Sequence, residues 1–208
     1  MPRQQSLEPV FTVLMVCTGN ICRSALAERL GRAYLAETLG HDAALVRIVS
    51  AGVRAVVESA MHPDSALVLR GLGGDPGDFR ARQLVDDMAI DADLMLTMTR
   101  RHRRDVLRVA PRALSRTFTL REAADLVALL SDDVDVPGDG LAERSRQLVH
   151  QLSAARSRRQ GSEVDDIRDP IGLPVEVHQE VGEVIAGALI PVLVRIASLR
   201  PEAGVGRA

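Results

Sequence analysis

The chain has no tryptophan, no lysine, one tyrosine and three phenylalanines among 208 residues, so aromatics make up only 2% of it. That scarcity argues against a binding site built on stacked aromatic platforms. Cysteine is as scarce. Cys17 and Cys22 cannot make a disulfide framework for a chain of this length, nor a four-thiolate zinc site on their own. Long apolar runs are missing too. Residues 181–199 are interrupted by Glu183, Pro191 and Arg195, and no uncharged stretch reaches the roughly 20 residues that span a bilayer. Residues 11–16 are too short for a signal-peptide core, and Val16 stands where a lipoprotein signal needs a small residue. The 26 basic residues, all arginine, are balanced by 28 acidic ones for a net charge of −2, which favours neither nucleic acid nor an anionic membrane. Arginine-only usage with much alanine and valine points to a GC-rich genome and says nothing of function.

What is present is the balance of a soluble globular protein, 46% apolar and 26% charged. A chain this long buries roughly 70% of the surface its unfolded form exposes, so it can build a core without staples. Residues 11–16 (FTVLMV) read as a central parallel strand buried on both faces. Helical patterns follow over 24–39, 62–72, 100–109, 120–130 and 141–158, with a terminal helix over 175–199 kinked at Pro191. Strands are expected at 46–49 and 93–98, an acidic Pro/Gly loop at 131–140, and a frayed tail after Arg200. Alternating strands and helices imply an α/β fold with a parallel sheet covered on both faces.

The chemistry concentrates in Cys17-Thr18-Gly19-Asn20-Ile21-Cys22-Arg23-Ser24, between the first strand and the first helix. A loop of this length can curl so that its N–H groups face inward as an anion nest, and the following helix adds its positive end. A cysteine at the start of the loop faces that field, which favours the nucleophilic thiolate. Arg23 closes the ring with a guanidinium able to hold two phosphate oxygens. Gly19 is expected to supply close approach or positive φ, Asn20 left-handed backbone and a bond across the loop. Ser24 is expected to donate to Cys17 and to cap the helix. The product is a phosphate cradle with a nucleophile at its base, suited to phosphoryl transfer through a cysteinyl-phosphate.

On these residues the chain resembles the low-molecular-weight protein tyrosine phosphatases, whose Cys-x5-Arg-Ser loop follows the first strand; the match suggests a bacterial, actinobacterial-type member. The resemblance implies a four-stranded parallel sheet with helices on both faces. It also implies that Cys17 is the nucleophile, that Thr18, Gly19, Asn20, Ile21, Cys22, Arg23 and Ser24 bind phosphate, and that Cys22 is a redox partner forming a reversible disulfide with Cys17. The general acid is implied to be Asp169 of Asp169-Pro170, with Asp165 and Asp166 as fallbacks. Ser50-Ala51-Gly52 and Ala81-Arg82-Gln83-Leu84 match further family segments, with Arg82 read as structural.

Two positions depart from the family pattern. Ile171 stands where an aromatic follows Asp-Pro, and Phe79 where a histidine supports the loop asparagine and serine. The chain is also longer than its relatives, which implies a single domain over 1–200 with an insert at about 112–163 that folds over the site, offers a partner surface or merely elaborates the exterior. No metal or cofactor is implied, and His62, His102 and His178 show no metal-ligand spacing. The expected function is hydrolysis of phosphotyrosine or aryl phosphate esters in the cytoplasm. Its partner would be a phosphorylated protein, a bacterial tyrosine kinase among the candidates, or a small phosphate ester; neither nucleic acid nor membrane insertion is expected. A thiol-coupled arsenate reductase and a weakly catalytic phosphoresidue-binding regulator are the alternatives, and Ile21 argues against an arginine phosphatase, which tends to have threonine there. The arginine-dense 100–108 is read as a solvated face or an acidic-partner dock.

Overall fold

The computed structural model describes residues 9–130, 136–159, 161 and 163–201. Much of the expected acidic loop and nearly all of the tail lie outside them, as does the polar start of the chain. Four strands form one parallel sheet in the order β2-β1-β3-β4. They are β1 (Phe11–Cys17), β2 (Val46–Gly52), β3 (Leu94–Thr97) and β4 (Thr117–Thr119). The helices are α1 (Arg23–Leu39), α2 (Pro63–Gly71), α3 (Asp86–Asp91), α4 (Arg100–Val109), α5 (Leu120–Leu129), α6 (Leu141–Ala155) and α7 (Val175–Ser198).

β1 occupies the sheet interior because it is apolar on both faces. Successive side chains alternate, so Phe11, Val13, Met15 and Cys17 join the larger core, while Leu14 and Val16 join the smaller one. The larger core is closed by α1, α2, α5, α6 and α7; the smaller one receives Ala89 of α3 and Val106 of α4. α7 is long and apolar enough to cross a membrane by length and composition. Its apolar side is instead taken up by α1, α5 and α2. It runs unbroken through Pro191.

Two elements were not expected from the pattern, α3 and β4, and each is very short. β4 changes the reading of the extra length. Residues 117–129 of the expected insert are the fourth strand and α5, so the start of that segment belongs to the sheet itself. α6, further along it, is pinned to the sheet through Asp93, whose carboxylate accepts from Thr12 N at 2.8 Å and from Arg146 Nε at 2.8 Å.

The carboxyl ends of β1 and β2 lie side by side, with Cys17 paired to Gly52. A Cβ on Gly52 would sit 2.4 Å from the carbonyl oxygen of Thr18 and 3.0 Å from Ala55 Cα, so this approach admits only glycine. Gly52→Ala is therefore expected to push the loop after β1 out of place. Overpacking of this kind costs about 1–3 kcal/mol; thermal unfolding should show a fall in Tm, and catalytic turnover a loss larger than that destabilisation alone explains.

Candidate active site

The loop from Cys17 to Ser24 leaves β1 and enters α1 at Arg23. Cys17 is buried, and its Sγ receives the Asn20 N–H at 3.3 Å and lies 2.9 Å from Ser24 Oγ. Ser24 Oγ already accepts from Asn20 Nδ2 at 2.9 Å, which leaves its proton for the sulfur. Ser24 does not cap the helix. The N-cap is Cys22, with no side-chain cap bond, and Ser24 lies inside α1 facing the sulfur.

Asn20, not Gly19, takes the left-handed backbone, with φ of 56°. Gly19 has no positive φ, and a Cβ there would make only ordinary contacts with Ile21 and Val56. Asn20 is fully buried with every side-chain hydrogen-bonding group used. Nδ2 donates to Ser24 and, at 2.8 Å, to Ser50 Oγ, while Oδ1 accepts from Arg82 N at 2.8 Å. Ser50 donates onward to Glu28 Oε2 at 2.6 Å, and the buried Glu28 carboxylate is ion-paired with Arg82 at 3.4 Å and Arg32 at 3.3 Å. The expectation that Phe79 forces a different loop support, and that Arg82 is structural, agrees with this geometry. Phe79 is buried in the larger core with Arg29 over its ring.

Arg23 is nearly fully buried and reaches across to the late loop. NH1 donates to the Ile167 carbonyl at 3.0 Å and NH2 to Asp169 Oδ2 at 2.5 Å. Ile167 is also held by its N–H to the Met98 carbonyl at 2.8 Å. The fallback acids are committed elsewhere: Asp165 is buried against Arg159, and Asp166 accepts from Arg100 N at 2.7 Å. Asp169 alone of the three lines the pocket, a cavity of about 200 Å³ shared with Cys17, Arg23 and Ile21. Arg54, Val56 and Ile171 complete its rim. Asn20 and Ser24 stand behind this wall, and none of the described residues of 112–163 lines the pocket.

Residues that sequence reasoning missed surround the loop. His102 Nε2 lies 2.8 Å from Thr18 Oγ1. Burial, seconded by the Arg23 charge, lowers the His102 pKa to about 4 against Asp105 and Asp169, which raise it, while Arg101 lowers it further. Nothing in the sequence marked His102, nor Glu28 beyond its place one turn after Ser24. Burial also pushes the Cys22 thiol up to about 11, despite a hydrogen bond from Ser65. Both cysteines are free. The arginines of α4 are largely paired: Arg100 with Asp166, Arg103 with Glu122 and Arg108 with Asp105. His62 and His178, 116 positions apart and without metal-ligand spacing in the sequence, are brought together by the fold, their rings stacked with centroids 4.8 Å apart.

The chain is similar to known proteins in sequence and fold. The family model described as low molecular weight phosphotyrosine protein phosphatase matches residues 12–155. The chain is 37% identical over 109 residues, 52% of its own length and 70% of the relative's, to the probable low molecular weight protein-tyrosine-phosphatase AmsI of Erwinia amylovora. It is 35% identical over 107 residues, 51% of its length and 67% of the relative's, to Etp of Escherichia coli K12. Among solved structures, the Erwinia amylovora AmsI crystal structure superposes with a TM-score of 0.63 at 25% identity, covering 92% of this chain and 95% of that one. The YwlE arginine phosphatase from Geobacillus stearothermophilus shares the fold, with a TM-score of 0.65 at 24% identity, covering 95% and 99%.

Two outcomes follow from the buried polar groups. Glu28→Ala removes the acceptor of a buried hydroxyl, at about 2 kcal/mol, and should lower Tm by roughly 4–8 °C in a chain of this size; thermal unfolding with steady-state kinetics checks this, and turnover should fall as Asn20 loosens. Secondly, because the folded chain keeps His102 neutral down to about pH 4 while the unfolded chain protonates it near 6.5, stability falls as pH drops through that window. The loss is about 1.4 kcal/mol per pH unit for one proton. Denaturant unfolding at pH 7, 5.5 and 4.5 should show a shallower decline in His102→Gln than in wild type.

Proposed function

The chain belongs to the low molecular weight phosphotyrosine protein phosphatase family and is a phosphatase of phosphotyrosine or aryl phosphate esters, and we propose from this that Cys17, Arg23 and Asp169 carry the reaction. The observation that supports the assignment is their convergence on one cavity, which Cys17, Arg23 and Asp169 all line. In this reading the Cys17 thiolate attacks phosphorus, while Arg23 and the loop N–H groups of residues 18–23 hold the non-bridging oxygens as charge builds on them. Asp169, protonated, gives its proton to the departing phenolate. The resulting cysteinyl-phosphate is hydrolysed by water that the Asp169 carboxylate deprotonates, and Ser24 hydrogen-bonds the sulfur as it leaves. The Arg23–Asp169 bond of 2.5 Å holds the two groups together until a phosphate dianion competes for the guanidinium and releases the carboxyl group.

The rim narrows the substrate. Val56 and Ile171 are exposed apolar side chains on the pocket, suited to gripping a flat ring from its faces, and Ile21 lines the mouth where threonine would suit a more polar group. The substrates are phosphoproteins; a bacterial tyrosine kinase is the partner we would test first, and a small aryl phosphate second. The extra length is read as support for the acid loop. Arg159 joins Asp125 of α5 to Asp165, and Arg156 joins Glu122 while lying 4.0 Å over the Phe118 ring. Two free thiols and a largely buried α7 support a cytoplasmic setting.

The test is hydrolysis of p-nitrophenyl phosphate and a phosphotyrosine peptide, in chelator and reductant, by wild type, Cys17→Ser and Asp169→Ala. Cys17→Ser should be inactive, and Asp169→Ala slowed by about 10²–10⁴-fold. Reduced wild type that binds phosphate or arsenate without turnover would overturn the assignment in favour of a phosphoresidue binder or a thiol-coupled reductase.

A further inference from the structure

Cys22, His62 and His178 come from three separate elements: the phosphate loop, the residue preceding α2 and the first turn of α7. Their ligand atoms all lie within 4.8 Å of one another. Cys22 and His178 are nearly fully buried, and His62 is partly so.

His178 Nδ1 is hydrogen-bonded to Ser65 Oγ at 2.9 Å, and the Pro170 backbone also interacts with the ring, while Nε2 has no hydrogen bond of ordinary geometry. His62 Nδ1 is buried and without a hydrogen bond. Both nitrogens look toward Asp64 Oδ2, at 3.8 Å from His62 and 4.0 Å from His178. Those separations are too long for hydrogen bonds. Two stacked imidazoles beside a thiol and a carboxylate bring together the donor set that a cation would take.

We propose that Cys22, His62 and His178 form a binding site for one divalent transition-metal ion of the zinc type, with Asp64 or water as fourth ligand, and that its occupancy inhibits the enzyme. One thiolate and two imidazoles form a borderline-soft set that fits tetrahedral zinc and not magnesium or calcium. Ser65 is the outer partner that a ligating histidine ordinarily has on its second nitrogen, and it fixes Nε2 as the ligating atom. A tetrahedral site holds its ligands about 3.5 Å apart, so capture draws the three side chains inward by roughly 1 Å. As the sulfur–metal bond forms, Cys22 loses its thiol proton to solvent.

The site lies at the phosphate loop, because Cys22 is one residue before Arg23 and lines the pocket. Metal capture would tie the loop to α2 and α7 and withdraw Cys22 from any bond with Cys17. That consequence for turnover rests on the phosphatase reading; the site itself does not.

The test separates the two. Cys17→Ser protein, which keeps Cys22 as its only thiol, is titrated with cobalt(II) and then zinc. One equivalent of cobalt should give the visible bands of tetrahedral cobalt with a thiolate charge-transfer band, and zinc should displace it. Adding Cys22→Ser should abolish the charge-transfer band, and adding His178→Ala or His62→Ala should weaken binding at least about 10-fold; Ser65→Ala, an outer partner, should weaken it by about 10-fold. No charge-transfer band, or binding unchanged when either histidine is removed, would overturn the site. In wild type, zinc should inhibit hydrolysis and a chelator restore it, while His178→Ala should keep its metal-free turnover and lose inhibition at the same zinc concentration. Equal inhibition of His178→Ala would overturn the regulatory claim.

Discussion

An anion cradle has to keep its donors aimed inward before any anion arrives, and here that task falls on the side chain of Asn20. The residue is fully buried with a left-handed backbone, a conformation that disfavours most L-residues. It is held there because its amide makes three hydrogen bonds, to Ser24, Ser50 and the backbone of Arg82. Only the carbonyl oxygen can accept from the Arg82 N–H, so the amide has one orientation. The bond to Ser24 then orients the hydroxyl toward Cys17, and the bond to Arg82 N ties the loop to the 81–84 segment. Loss of any partner leaves a buried polar group unpaired, which costs about 1–3 kcal/mol.

The same network shows how a family pattern can be met by different residues. With Phe79 in the core, no histidine stands beside Asn20 and Ser50. The acceptor at the end of the chain is the Glu28 carboxylate, and its charge is balanced by Arg82 and Arg32 at the protein surface. A negative group close to a loop that must bind anions would oppose its function. The Arg82 and Arg32 guanidiniums paired with Glu28 offset that field, and both are partly in water, so they add little by themselves. The arrangement anchors Ser50 without leaving net negative charge near the phosphate.

The parts legible in the sequence were those whose signal is local. β1 and α1 were readable because a continuous apolar strand and a helical period flank a loop of diagnostic composition, and the structure places Cys17, Arg23 and Asp169 on one cavity. β4 was not readable. Three residues carry no period, and Thr117-Phe118-Thr119 owes its strand to pairing with Met95, Leu96 and Thr97. α3, at six residues, likewise falls below the length at which periodicity tells helix from turn. Gly19 illustrates the opposite error: a glycine in a tight loop invites a conformational explanation, yet the strained position is its neighbour, and the glycine that sterics require is Gly52 on another strand. His102, Glu28 and the His62–His178 pair were invisible because each depends on contacts with residues 22 to 116 positions away or on burial that one sequence does not display.

In the mechanism we propose, a rigid cradle also needs a tethered acid, the part given to Asp169. Cys17 and the loop N–H groups are fixed by β1, α1 and the Asn20 clamp, but the acid arrives on an irregular segment between α6 and α7. An untethered carboxyl group would forfeit the advantage of positioned proton transfer, since a displacement of about 1 Å can cost on the order of 10²-fold in rate. The chain fixes the segment at successive residues. Asp165 is held by Arg159, Asp166 by Arg100, and Ile167 by Met98 on one side and Arg23 on the other. After these anchors Asp169 has only two residues of slack, and its remaining freedom is taken by Arg23 itself and by the Ile171 N–H at 3.3 Å. Arg23 thus joins the two halves of the site. One of its terminal nitrogens bonds the Ile167 carbonyl, and the other bonds the Asp169 carboxyl group. In the mechanism we propose, the residue that binds substrate is therefore also the one that sets where the proton donor stands.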